Sequence, residues 1–165
     1  MKLEFKEEQK FTQWWLWLIL IGIAILPVFS VFEHLLQEVE STKTRSVVGI
    51  IGYYLFVFAI IALFLIMRLK TEIDQNEITM QFVPFLKKRV SWAEIKSAKI
   101  VNYGFVGGWG IRFGTQYGTV YNIKGNKGLA LELLNGKKFL IGTQKETELA
   151  KTIEKFRGKT ETNHV

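Results

Sequence analysis

From Val47 to Met67 the chain runs for twenty-one residues without a charge, and Arg68, Leu69 and Lys70 follow with no spacer. At ~1.5 Å rise per residue, such a run crosses a hydrocarbon core of roughly 30 Å as a single helix. A second uncharged run, Trp14 to Phe32, precedes it and opens with Trp14, Trp15 and Trp17, whose amphipathic rings favour the headgroup level. The pair predicts a transmembrane helical hairpin within residues 1–68, with helices over about 12–33 and 46–68. The length of the first run, its indoles, and the bulky Phe32 and Glu33 where a cleavage site would need small residues all argue against a signal peptide. Pro27 is expected to bend the first helix or end its regular hydrogen bonding. Gly49, Gly52, Ala59 and Ala62 fall on one flank of the second helix, as a seam for Gly22 and Ala24 or as ordinary membrane-helix composition. Neither span contains an ionisable residue, which disfavours a pump, proton relay or ion pathway.

Charge sets the orientation. Lys2, Lys6, Lys10, Arg68 and Lys70 flank one side of the hairpin and Lys43 and Arg45 the other, so the positive-inside rule places both termini in the cytoplasm. Arg68 and Lys70, with the three tryptophans, are the expected membrane-interface anchors. The net charge of +7 is concentrated after the hairpin, where residues 68–165 carry seventeen basic against nine acidic side chains. An excess of that kind selects anionic partners, and beside a bilayer the nearest are anionic lipids. The chain has no cysteine and only two histidines, His34 and His164. That leaves no thiol chemistry, no disulfide framework and too few ligands for a structural zinc site, so no cofactor and no metal are expected.

Beyond the hairpin the hydrophobic period changes from helical to alternating. Leu69, Thr71 and Ile73, a turn at Asp74 to Glu77, then Ile78, Met80 and Phe82 predict a β-hairpin. The basic triplet Lys87, Lys88 and Arg89 leads to Ser91, Trp92, Ala93 and Glu94, a capping box opening at most one turn of helix. Ile95 to Tyr103 reads as a strand. Six glycines between Gly104 and Gly118 alternate with Phe105, Trp109, Phe113 and Tyr117. The segment Gly108 to Phe113 lacks the third glycine of a dinucleotide fingerprint and no helix follows it, so a bent strand pair is the better reading. Thr119 to Ile123 and Leu129 to Leu133 are further strands. Asn135 and Gly136 predict a two-residue type I′ turn into Lys137 to Ile141. Thr143 and Glu146 suggest a second capping box for a helix whose buried face is Leu149, Ile153 and Phe156 and which ends at Gly158, leaving a frayed tail over 159–165.

About seven short antiparallel strands closed by one amphipathic helix form the plan expected for residues 69–158. The Ser91 to Ile95 segment, the glycine and aromatic stretch, the Asn135 and Gly136 hairpin and the final helix resemble bacterial pleckstrin-homology-like (PH-like) domains. The whole chain resembles a family of small bacterial membrane proteins of unestablished function, through Tyr103 to Gly110 and a segment like Tyr121 to Gly125. That resemblance implies an α+β membrane protein in which a PH-like antiparallel β-barrel, capped by a C-terminal helix, follows a two-helix hairpin in the bacterial cell membrane. It implies no activity.

The functional expectation is therefore a membrane-anchored, non-enzymatic module at the cytoplasmic surface, binding anionic lipid headgroups or a protein partner. Lys87, Lys88, Arg89 and Arg112 are the candidate lipid- or partner-facing residues, against the plainer reading of a solvated turn and a surface arginine. Trp92 is expected in the core rather than at the interface. The alternative is an accessory or scaffolding subunit of a larger membrane complex, partnered by a membrane protein or a second copy of the chain. An enzyme is disfavoured because Asp74, Glu77, Glu94 and Glu132 fall in turns, a cap and a strand with no histidine or cysteine to work with. Nucleic acid is disfavoured because no recognition helix or aromatic stacking motif accompanies the charge.

Overall fold

A computed structural model of the protein describes residues 3–36 and 43–162. Among them the chain is α+β, with three helices and two sheets, of four and five strands. It divides into two compact units, one formed by Met1–Phe11 with Met67–Val165 and the other by Thr12–Ile66. His164 and residues 37–42, part of the expected polar connection, lie outside the described residues.

The second unit holds α1 (Trp14–Leu36) and α2 (Lys43–Ile66). Within α2, Val48–Ile66 is long and apolar enough to cross a membrane; Trp14–Phe29 in α1 is a shorter apolar stretch. Pro27 lies inside α1, which continues beyond it to Leu36. Tyr53 donates its hydroxyl to the Ile23 carbonyl at 2.5 Å, and Leu20 and Val57 are buried. The glycine seam is not what joins these helices. A Cβ built on Gly22, Gly49 or Gly52 would meet nothing within 4 Å.

The first unit begins earlier than residue 69. Phe5–Lys10 form β1, which pairs antiparallel with β2 (Arg68–Ile73), so that Phe5 faces Ile73 and Lys10 faces Arg68. The expected boundary between a 1–68 hairpin and a 69–158 domain is thereby corrected, because the helical unit is inserted between two neighbouring strands of one sheet. β3 (Glu77–Val83) and β4 (Leu86–Ser91) complete that sheet in the order β1-β2-β3-β4. Its inner face carries Phe5, Leu69, Ile73, Ile78, Met80, Phe82 and Val90, all buried, as the period-two pattern requires.

After a single 3-10 turn at Trp92–Glu94, five strands build the second sheet: β5 (Ile95–Asn102), β6 (Gly110–Thr115), β7 (Gly118–Asn122), β8 (Lys127–Leu133) and β9 (Lys138–Thr143). Their order is β5-β8-β9-β7-β6, with β7 and β9 parallel and the other pairs antiparallel. The nine strands among the described residues exceed the expected seven because β1 and β4 carry runs of consecutive charged residues, Lys6 to Glu8 and Lys87 to Arg89, that mask the alternating pattern. The capping box at Ser91 and Glu94 forms as expected. The Asn135 and Gly136 turn does not take the type I′ form, since among the described residues no non-glycine residue has positive φ. Leu134 to Gly136 instead make a three-residue loop. Gly136 donates to the Leu133 carbonyl at 2.9 Å and takes φ 79°, while Asn135 Oδ1 accepts from the Lys137 amide at 3.0 Å, the pattern of a turn followed by a glycine bulge.

α3 (Glu146–Thr162) runs past Gly158, the expected stop. Leu149, Ile153 and Phe156 are its buried face. Half of the expected box forms at its N-terminus, where Thr143 Oγ1 accepts from the Lys145 amide at 3.0 Å, and the turn before it is also tied from a distance. Glu7 of β1 accepts from the Thr143 hydroxyl at 2.6 Å and the Gln144 amide at 2.7 Å, while Glu146, the expected cap partner, pairs with Lys127 at 3.1 Å. Gln9 adds a bond from its amide to the Gly142 carbonyl at 2.7 Å. Two inward-facing polar side chains of β1 thus clasp the turn between β9 and α3, Glu7 as acceptor and Gln9 as donor.

Candidate anion-binding cleft

β4 is the outer strand of its sheet, bonded on one side to β3 alone. Strand alternation divides the basic triplet that it carries. Lys87 and Arg89 are exposed, whereas Lys88 and Val90 turn inward. The Lys88 ammonium lies 5.0 Å from the Tyr121 ring centroid and 4.9 Å from that of Phe139, a cation between two aromatic faces of the opposite sheet. An inward-pointing lysine on an outer strand also discourages edge-to-edge pairing.

Opposite β4 stand the ends of two hairpins, β6–β7 and β8–β9. Between them and β4 lies a cleft of about 640 Å³, lined on the cationic side by Lys87, Lys88, Arg89, Lys137 and Lys138. The rest of the lining is Val90, Phe113, Gly114, Gly118, Thr119, Leu133, Asn135 and Phe139, with no carboxylate. The wall is close-packed at Gly118, φ 76°, where a Cβ would sit 2.1 Å from the Lys138 carbonyl oxygen. Only glycine lets β7 begin that near to β9.

The cations differ in how far they are already engaged. Arg89 Nε lies 3.7 Å from Glu77 and Lys138 Nζ 3.9 Å from Glu132, both loose contacts. Glu132 is held more closely by Lys96 at 2.8 Å. The hydrogen bond from Lys96 and the charges of Lys138, Lys96 and Lys99 keep its carboxyl below the usual carboxylate range, against a smaller opposing effect of burial. Lys87 and Lys137 form no ion pair among the described residues. A cleft with two uncommitted ammonium groups and two weakly engaged cations has unspent positive charge, and a phosphate-bearing group would satisfy it.

Arg112 is not part of this cleft. Its Nη2 donates to the Trp109 carbonyl at 2.8 Å, and the same atom lies 2.7 Å from where a Gly108 Cβ would stand. The arginine braces the Gly104–Gly110 loop, which is also tied by the bonds from the Gly104 amide to Asn102 Oδ1 at 3.1 Å and from the Asn122 amide to the Gly108 carbonyl at 3.4 Å. Trp92 is half-buried and stacks on Phe156 at 5.2 Å, with its indole N–H on the Asp74 carbonyl at 3.0 Å. It fastens α3 to the first sheet.

The expected interface anchors fall in both units. Trp14, Trp15 and Trp17 open α1, and Trp14 is exposed. Arg68 and Lys70 lie on β2 and share Glu8 with Lys10, at 3.4, 3.6 and 3.4 Å respectively. Burial works to raise the Glu8 pKa, but Lys70, Lys10 and Arg68 together outweigh it and hold the carboxyl below its usual value. Residues missed from the sequence are Lys137 and Lys138. Their signal was present as two adjacent lysines after Gly136, but only the cross-sheet packing brings them opposite β4. Among the described residues, no group of three or more His, Cys, Asp or Glu is placed to hold a metal ion.

No protein-family profile, curated protein or solved structure matches this chain.

Proposed function

We propose that the chain is a membrane-anchored, non-enzymatic PH-like module whose cleft at Lys87, Lys88, Arg89, Lys137 and Lys138 holds the anionic headgroup of a membrane lipid at the cytoplasmic surface of a bacterial membrane. The observation that carries this reading is a cleft of about 640 Å³ with five cationic residues and no carboxylate in its lining. Each lysine or arginine near an anionic bilayer contributes about 1 kcal/mol, so four or five acting together make a useful, salt-sensitive attraction. The PH-like assignment is supported by two largely antiparallel sheets followed by a C-terminal helix. The nine strands and the parallel β7–β9 pair are departures from the expected plan.

The hairpin reading is supported by strand pairing. β1 and β2 are hydrogen-bonded neighbours, so the chain on either side of the inserted helices returns to one folded unit. A single crossing by α2 would leave those strands on opposite sides of the bilayer. Two crossings keep them together, and α1, although its apolar stretch is shorter, supplies the second with help from its tryptophans at the headgroup level. The excess of Lys and Arg flanking that side argues for the cytoplasm.

Two experiments test the reading. Because the chain has no cysteine, Lys10→Cys and Lys70→Cys each create a unique thiol. Both are expected to react with an impermeant maleimide in inside-out vesicles and not in intact cells; reaction from opposite faces would remove the double crossing. Mass spectrometry of the intact chain released from bilayers of mixed phosphatidylcholine and phosphatidylglycerol is expected to show retained phosphatidylglycerol, reduced at least threefold by Lys87→Glu with Lys137→Glu. Equal retention by the variant, or a stoichiometric protein partner in place of lipid, counts against the headgroup reading.

A further inference from the structure

The cleft has apolar shoulders. Phe113, which lines it from the β6–β7 hairpin, is 77% exposed, and Leu134, which sits between the lining residues Leu133 and Asn135 on the β8–β9 hairpin, is 68% exposed. Neither packs into the core. Both are displayed on tied-down backbone. The Leu134 amide donates to the Glu94 carbonyl at 2.9 Å, and the turn beyond Phe113 is closed by the Thr115 hydroxyl on the Gly118 carbonyl at 2.8 Å and by the Tyr117 amide on Thr115 Oγ1 at 3.1 Å. A free anion in water would be served by the cations alone. It gives no reason to hold a phenyl ring and an isobutyl group in solvent on two separate hairpins.

We propose that this face docks onto an anionic bilayer, with Phe113 and Leu134 entering the boundary between headgroups and acyl chains while Lys87, Arg89, Lys137 and Lys138 engage the phosphates. The inference rests on the reading of the cleft as a headgroup site and adds to it the two apolar side chains that enter the bilayer beside that site. Charge complementarity favours an anionic bilayer. The cleft lining holds five cationic residues and no carboxylate, and the carboxylates that reach its cations, Glu77 and Glu132, are themselves paired, so an anionic surface meets little repulsion there. Apolar side chains beside a basic cleft combine the two attractions that hold peripheral proteins on such surfaces.

The test uses the full chain in nanodiscs and again exploits the absence of cysteine. Phe113→Cys and Leu134→Cys, made singly at exposed positions, are labelled with an environment-sensitive thiol probe, and Lys124→Cys, in the exposed turn before β8, serves as the reference. In nanodiscs containing phosphatidylglycerol, the probes at 113 and 134 are expected to shift to shorter wavelength and to be quenched at least twofold by brominated acyl chains. In phosphatidylcholine alone they are expected to remain water-like, as the probe at 124 does in both. Water-like emission at 113 and 134 in both lipids overturns the proposal, and so does an equal shift in both. A shift seen only in native membranes and not with defined lipid assigns the face to a protein partner and overturns it as well. If phosphatidylglycerol is retained by the intact chain while both probes stay in water, the cleft reading survives and the docking fails. Loss of both signals removes the two together.

Discussion

Replacing Glu7 by alanine tests whether β1 belongs to the folded unit. Glu7 is 5% exposed, and its carboxylate accepts from the Thr143 hydroxyl at 2.6 Å and the Gln144 amide at 2.7 Å. Hydrogen bonds to a charged partner contribute ~1.5–3 kcal/mol each, so the two together set a loss of about 3–6 kcal/mol. Relief of the buried carboxylate's desolvation returns part of that, leaving about 2–4 kcal/mol. At roughly 4 °C per kcal/mol for a unit of this size, the midpoint is expected to fall by about 8–16 °C. Thermal unfolding in detergent, followed by near-ultraviolet dichroism, reads the change. Glu7→Gln retains one carbonyl acceptor and is expected to lose about half as much. In a double-mutant cycle, Glu7→Ala and Thr143→Val are expected to couple by about 1–2 kcal/mol. A loss below about 0.5 kcal/mol for Glu7→Ala, with no coupling, would refute the clasp and with it the account of how β1 is held.

Two glycine turns make a matched pair. Gly118→Ala places a methyl 2.1 Å from the Lys138 carbonyl oxygen and is expected to unfold the second sheet or cost more than about 3 kcal/mol, whereas Gly136→Ala, with open space and φ 79°, is expected to cost only ~1 kcal/mol of backbone strain; denaturant midpoints compare them. Leu140 is fully buried against Tyr103 and Val120, so Leu140→Ala is expected to cost about 2–5 kcal/mol in the same assay. Burial raises the Tyr103 pKa, partly offset by the Asn122 hydrogen bond. Its contribution to stability is fully present below the unfolded value of 10.0 and is lost as the pH climbs through the raised folded value. Alkaline ultraviolet difference titration is expected to lose a phase lying above the ordinary tyrosine range in Tyr103→Phe.

What was legible in the sequence is what short-range physics decides. Leu69 to Phe82 alternate cleanly and form β2 and β3; Ser91 and Glu94 lie three residues apart and form their box; Leu149, Ile153 and Phe156 share a helix face and are buried. What escaped depends on partners far away in the chain. β1 alternates Phe5, Glu7 and Gln9 inward, but two of those three are polar and become core residues only because Gly142, Thr143 and Gln144 supply their bonds. The α3 cap follows the local pattern only in part: Thr143 Oγ1 accepts from the Lys145 amide, while Glu146 turns to Lys127. The basic triplet was visible as charge, yet its division into two outward cations and one inward lysine follows from its lying on a strand. Lys137 and Lys138 joined it only through the packing of one sheet against the other. Arg112 stands apart from the cleft, because a strand pattern shows which face a side chain leaves from, and not that it folds back on a glycine loop.

The most direct test of the cleft is which lysines a bound lipid shields. With the full chain in nanodiscs, brief acylation by a water-soluble reagent followed by peptide mass spectrometry should show Lys87 and Lys137 protected at least threefold by phosphatidylglycerol relative to phosphatidylcholine, while Lys124 and Lys151 react equally in both. Equal reactivity of Lys87 and Lys137 in the two lipids would contradict the proposed headgroup site.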